Sequence, residues 1–172
     1  MLGVHDYILF LFLIIAFISD IKNQKLPNWL TAGGIVIGII YHFITDGFGG
    51  LLFSLLGLLT AGGIFLILYI FKAIGAGDVK LFGAIGSLVG FDMVVNMMVL
   101  SIVFAGILSA LILLLTKTFM KKMIDAFFYL RDSLYMKDYR KLEDYKKNKA
   151  TRFPFMYAVV PAVVITYIYP II

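Results

Sequence analysis

Gly75-Ala76-Gly77-Asp78-Val79-Lys80 runs directly into an apolar stretch that ends at Phe91, and a second apolar stretch, 51–71, precedes it. A carboxylate between two hydrophobic runs is costly at the edge of a bilayer, so Asp78 is read as a working residue. Glycines at 75 and 77 lack a side chain and tolerate positive φ, so they let the backbone there turn sharply and approach a substrate closely. The organisation of the chain depends on what Asp78 is paired with.

Composition places that stretch in a membrane. Of the 172 residues 62% are hydrophobic and only 15% are charged, against about a quarter charged in a soluble chain. Mean hydropathy is +1.02. There is no cysteine, which excludes disulfides, cysteine–zinc sites, thiol catalysis and iron–sulfur clusters. The two histidines, His5 and His42, are too few for a histidine metal site, and His42 reads as a packed or interfacial residue. No cofactor or metal is expected. The net charge of +5 is read as a membrane-face and anionic-lipid signal rather than a nucleic-acid one. No basic region precedes the first apolar run, so that run is expected to be a span rather than a cleaved signal.

Apolar runs lie at about 2–19, 28–45, 51–71, 79–91, 93–116 and 153–172. A helix needs roughly 20 residues to cross a bilayer, so the fourth run is short. Its glycines, Gly83, Gly86 and Gly90, suit close helix packing. Basic residues orient the set. Lys22, Lys25, Lys72 and Lys80 flank the early runs, and the other eleven Lys and Arg lie between Lys117 and Arg152. Six spans with the N-terminus outside put all fifteen on one face and none at the turns His5-Asp6, Asp46-Gly47 and Phe91-Asp92, a strong positive-inside pattern. If the fourth run did not cross, the 117–152 cluster would fall opposite the other four. The expected fold is therefore an all-α membrane protein with six transmembrane helices, a short fourth helix, and a cytoplasmic segment between helices five and six, forming one domain over 1–172. Segment 117–152 carries eleven basic and five acidic residues. Its first half has helically spaced apolar residues and reads as a continuation of helix five or as an amphipathic surface helix against anionic lipid.

That topology puts Asp20 and Asp78 on the cytoplasmic side and leaves Asp6, Asp46 and Asp92 outside. Asp20 opens the stretch Asp20-Ile21-Lys22-Asn23-Gln24-Lys25-Leu26-Pro27-Asn28. Taken alone, this stretch also reads as a polar loop: Asp20 closes one helix, Pro27 and Asn28 start the next, and Trp29 anchors at the interface. Asp78 alone also reads as the N-cap of the fourth helix. Taken together, two carboxylates on one face of a helical bundle, each beside turn-forming backbone, meet the needs of an aspartyl hydrolase. One takes a proton from water while the other donates one to the carbonyl or leaving amine. Their like charges make them share a proton. A helix-end argument assigns the roles: Asp20 at the negative C-terminal end of the first helix is expected to be the acid, and Asp78 at the positive start of the fourth the base. Lys80, two residues on, is expected either to act on the Asp78 charge or to anchor the helix at the headgroups.

The combination of Asp20-(x)₅-Leu26-Pro27-Asn28 with Gly75-Ala76-Gly77-Asp78-Val79-Lys80 resembles the type IV prepilin peptidases, membrane aspartyl proteases with a GxGD motif, and their archaeal preflagellin-peptidase relatives. Arg152-Phe153-Pro154-Phe155-Met156-Tyr157-Ala158 looks like the basic-x-Pro segment that opens the family's last helix, although Pro-Phe-Met-Tyr stands where the family has Pro-Phe-Gly-Pro. By that resemblance Asp20 and Asp78 are the catalytic pair. Gly75, Gly77, Lys80, Pro27, Asn28, Arg152 and Pro154 are then motif backbone or substrate-binding positions. The implied partner is a prepilin-like precursor with a hydrophobic N-terminal helix, cut at the cytoplasmic membrane face after a short basic leader. The precursor's helix is expected to lie against the thin fourth span. Larger bacterial members carry a paired-cysteine region and N-methylate the product. This chain has neither the cysteines nor the length, so leader peptidase activity without methyltransferase activity is expected, as in the compact tight-adherence (Flp-type) or archaeal branch. The rival from another class is a small ion-coupled carrier using Asp20 and Asp78 as cation or proton sites. Against it, both aspartates map to one membrane face, and no inverted repeat is visible.

Overall fold

The computed structural model describes residues 3–23, 26–115 and 155–169. The basic segment 117–152, Arg152 and Pro154 lie outside the described residues, and so do the expectations placed on them. Among the described residues the chain is all-helical, with four helices: α1 (Val4–Asn23), α2 (Asn28–Ile70), α3 (Ala76–Leu115) and α4 (Met156–Ile168). The first three are long and apolar enough to cross a membrane. One compact unit comprises the chain up to Ala105 together with the C-terminal helix, and from Gly106 the chain belongs to a second unit. The first unit holds Asp20 and Asp78 with the motifs around them.

α2 and α3 each contain one glycine that leaves helical geometry: Gly47 (φ 60°, ψ −134°) and Gly90 (φ 76°, ψ −173°). Positive φ is open to glycine at little cost and strains any other residue. At Gly47 the chain doubles back. A Cβ built on Gly50 would fall 1.9 Å from the carbonyl oxygen of His42, whereas residues eight apart on a continuous helix are about 12 Å apart along the axis. α2 therefore holds the second and third apolar runs, and α3 the fourth and fifth. The breaks fall beside Asp46 and Asp92, where polar residues interrupt the apolar pattern.

Pairings fix the directions. α1 runs antiparallel to the first half of α2, with His5 beside His42 (ring centroids 5.6 Å apart) and Phe12 against Gly34. The second half of α2 runs antiparallel to the start of α3: the Ser54 hydroxyl donates to Ser87 O (2.8 Å), Gly57 meets Gly86, and Phe65 stacks on Phe82 at 4.0 Å. The first half of α2 lies along the same stretch in parallel, through Gly34 against Ala84, Gly38 against Ser87, and His42 Nε2 donating to Leu88 O at 2.9 Å. A carbonyl only accepts, so His42 carries its proton on Nε2. It is the packed histidine the sequence implied. α4 returns antiparallel to α1, from Met156 beside Asp20 to Tyr167 beside Asp6.

The short fourth run is the centre of the first unit. All ten residues from Leu81 to Gly90 are buried, as expected of a helix that is hydrophobic all round. Its glycines let backbone meet backbone: a Cβ on Gly86 would fall 2.2 Å from Gly57 O. In lipid, apolar side chains gain little by leaving one apolar medium for another, so such close packing and buried hydrogen bonds carry the association of helices. One expectation is corrected here. A precursor helix cannot lie against residues 81–90, because no face of that segment is open.

Candidate active site

The site is assembled where α1 ends and α2, α3 and α4 begin. The turn that delivers Gly75 is not made by glycine. α2 closes in a Schellman motif, with the Ala73 N–H on Leu68 O (3.0 Å) and the Lys72 N–H on Tyr69 O (2.8 Å). Lys72 takes the left-handed position at φ 59°, usually a glycine's place. Gly75 and Gly77 are not among the positive-φ residues, so the tolerance of left-handed backbone they offer is not used. Gly77 instead lies against Leu26, its Cβ position 3.8 Å from Leu26 Cβ, so the two sequence motifs touch there.

Asp78 is at the third position of α3, since the helix begins at Ala76 rather than after the aspartate. Its Oδ2 accepts from the Gly75 N–H at 3.0 Å while its own N–H donates to Gly75 O at 3.1 Å. This reciprocal arrangement is the carboxylate half of a capping box. Asp78 thus caps its helix by reaching back, not from the N-cap position itself. Capping uses Oδ2 and leaves Oδ1 for other work.

Asp20 is 8% exposed. Its Oδ2 accepts from the N–H of Met156 at 3.1 Å, the first residue of α4. The helix-end assignment of acid and base changes accordingly. α1 continues to Asn23, so Asp20 lies one turn inside it and faces the positive start of α4, much as Asp78 lies at the positive start of α3. The dipoles no longer separate the two. Contacts place the two carboxylates at one end of the first unit: Asp20 holds Met156, the adjoining Phe155 meets Phe82, and Phe82 is one turn from Asp78.

Beneath them is an aromatic floor. Phe82 is one turn below Asp78 on the same face of α3. It stacks on Phe65, and Phe155 closes the group edge-on at 6.3 Å from each. Asp20 is buried and Asp78 half-buried, so electrostatic effects are strengthened most at Asp20.

Lys80 does not face Asp78: residues two apart on a helix point to different sides. Its Nζ donates to Asn28 Oδ1 at 2.8 Å, joining the start of α3 to the start of α2. Pro27 occupies the N-cap of α2 in extended geometry (φ −68°, ψ 137°), and Trp29 beside it is exposed. The structure thus brings together Asp20, Pro27, Asn28, Gly75, Gly77, Asp78 and Lys80. Sequence reasoning missed the backbone N–H of Met156 and the floor of Phe65, Phe82 and Phe155. Adjacency to the Pro154-Phe155-Met156 segment is the only signal in the sequence for the first.

A second polar group sits at the other end of α1. Asp6 is buried and accepts from Tyr167 Oη and, at 2.7 Å, from the Gly3 N–H, with His5 Nε2 at 3.2 Å. Fourteen residues of helix, about 21 Å, separate it from Asp20. A cleft of about 500 Å³ opens beside it, between His5, Tyr41, His42, Asp46 and Phe53. Among the described residues no group of His, Asp or Glu is arranged to hold a metal ion.

No curated protein and no solved structure matches the chain significantly. The profile of the type IV leader peptidase family matches residues 7–110, a span that includes both aspartates and the Leu26-Pro27-Asn28 and Gly75–Lys80 motifs. Matched over more than half of its length, the chain belongs to the type IV leader peptidase family.

Proposed function

We propose that the protein is a multi-pass aspartyl endopeptidase of the cell membrane. It removes the short leader of prepilin-like or preflagellin-like precursors at the cytoplasmic face, without N-methyltransferase activity. The observation that supports this reading is the gathering of two carboxylates from distant parts of the chain, Asp20 and Asp78, at one end of the helical unit beside the Phe65, Phe82 and Phe155 rings.

The chemistry rests on a shared proton. The ionised member takes a proton from a water held between the two, and the water oxygen attacks the scissile carbonyl carbon. The protonated member gives its proton to the carbonyl oxygen. As the tetrahedral diol collapses the C–N bond breaks, the first carboxyl gives its proton to the departing amine, and the second takes a proton back from a diol hydroxyl as the new C=O forms. The pair ends with one proton, as it began. Two such groups titrate as a unit rather than singly.

Six crossings with the N-terminus outside agree with the breaks at Gly47 and Gly90, which fall at the turns the charge pattern assigns to the outer face. With 81–90 enclosed, the precursor's apolar helix approaches from the exposed start of α3 and the loop before it, where Ile70 and Phe71 are open. Mass spectrometry of a leader-bearing precursor incubated with the purified protein tests the proposal. Cleavage between the basic leader and the apolar helix, leaving an unmethylated N-terminus, is expected. No cleavage of any precursor of this kind, with proton or cation flux through reconstituted vesicles instead, would establish a carrier.

A further inference from the structure

We propose that Asn28 and Lys80 form a positioning bridge that sets the separation of the two carboxylates by holding the start of α3 against the start of α2. The inference rests on the reading of Asp20 and Asp78 as the reacting pair and goes beyond it, assigning a task to two residues that touch neither of them.

Three observations carry it. First, Lys80 Nζ donates to Asn28 Oδ1 at 2.8 Å, and each residue belongs to the first turns of its own helix, Asn28 opening α2 and Lys80 two residues beyond Asp78. Second, Lys80 points away from Asp78 on the helix, so its ammonium is directed to the neighbouring helix and is not the counter-ion of the carboxylate beside it in sequence. Third, Asp20 and Asp78 are gathered at one end of the unit by separate contacts, and like charges push apart when both are ionised. Asp20 is tied to α4 through Met156, and Asp78 is tied to the start of its own helix through Gly75. Packing fixes α3 from Leu81 onward and leaves its more exposed first turn to be held toward the chain that continues from Asp20. The Asn28–Lys80 bond spans that gap, and Leu26 against Gly77 packs beside it. Pro27, with fixed φ and no N–H, makes the start of α2 a stiff anchor for it.

Both ends of the bond are exposed, where a contact to a charged group is worth about 0.2–1 kcal/mol, so it changes the population of a productive geometry by at most about fivefold. Such a bridge acts on the rate of the chemical step, whereas a substrate contact would act mainly on KM. It also differs from a lysine that merely finds a partner at the headgroups, which could be removed without effect on either.

The chain's lack of cysteine makes a direct test possible. Asn28→Cys and Lys80→Cys are introduced together and joined by a bifunctional methanethiosulfonate with a short spacer. Joining is read on a gel and cleavage in single turnovers, with wild type and Asp78→Asn alongside. The open double variant is expected to fold and reach the membrane as wild type does, to lose about two- to fivefold in kcat with KM little changed, and to regain most of that rate when joined. Lys80→Gln, which still donates to Asn28, is expected to keep more of the rate than Lys80→Met. Failure to join, an open variant that cuts at the wild-type rate, or a joined one that stays slow would each overturn the bridge. A wild type that cuts nothing would overturn the peptidase reading instead, since joining is read without any activity.

Discussion

Replacing Gly57 by alanine tests the packing that places Asp78. A Cβ there would fall 2.0 Å from the carbonyl oxygen of Gly86 and 2.8 Å from its carbon. These are backbone atoms of the central helix, so no side-chain rotation can relieve the clash. Restoring the closer contact merely to 3.0 Å requires the second half of α2 and the start of α3 to part by about 1 Å. Overpacking of that kind costs about 1–3 kcal/mol. Gly63, on the same half of α2, has no heavy atom within 4 Å of its Cβ position. There the same change removes a flexible residue from a helix and is expected to stabilise by about 0.5–1 kcal/mol. Unfolding by graded SDS in mixed micelles should therefore separate Gly57→Ala from Gly63→Ala by about 1.5–4 kcal/mol. Because Asp78 rides on the displaced helix, Gly57→Ala should also slow cleavage, as displacements of about 1 Å can cost a hundredfold. Equal stability of the two variants would refute the close approach of α2 and α3.

Lys72→Gly relieves the left-handed residue of the Schellman turn (φ 59°) and is expected to stabilise by about 1 kcal/mol without changing kcat, checked by the same titration. Tyr167→Phe removes the hydroxyl that donates to buried Asp6 and should destabilise by about 1.5–3 kcal/mol, with single-turnover rates unaltered because the site is about 21 Å away along α1. Gly90→Ala forces a Cβ to 2.0 Å from the Phe53 ring at a backbone of φ 76°. Folding yield in the membrane should drop sharply, and Phe53→Ala in the same chain should recover only the steric part, since the backbone strain remains.

Much of this arrangement is legible in the sequence because membrane helices declare themselves by length and composition. The apolar runs recur within the helices, and polar residues 46 and 92 mark where Gly47 and Gly90 break them. Asp20 and Asp78 are legible as candidates because each carboxylate sits beside turn-forming residues at the edge of an apolar run. Details fixed by tertiary contact are not. The sequence offers two glycines before Asp78 for a turn, yet Lys72 makes it, because the closure of α2 decides which residue goes left-handed. Asp78 reads as an N-cap and instead caps from the third position of α3. Lys80 reads locally as a partner for Asp78, and helix geometry turns it to Asn28. Asp20 reads as lying at a negative helix end because nothing near it in sequence announces that α4 begins beside it. The fourth run reads as thin and open to substrate, whereas enclosure on all sides is what permits a helix that short and that rich in glycine. Asp6 reads only as an outer-face residue; its burial comes from Tyr167, at the far end of the chain.

The central claim is that Asp20 and Asp78 act as one catalytic unit. Single-turnover cleavage of a leader-bearing precursor by wild type, Asp20→Asn, Asp78→Asn and the double variant tests it most directly, at equal membrane abundance. Asparagine keeps an oxygen to accept from Met156 and Gly75, so folding should persist. Each single change is expected to lower the rate by at least about a thousandfold, and the double change to be no worse than either alone, the non-additivity of groups acting as a unit. Full-rate cleavage by either single variant, or losses that multiply in the double, would contradict it.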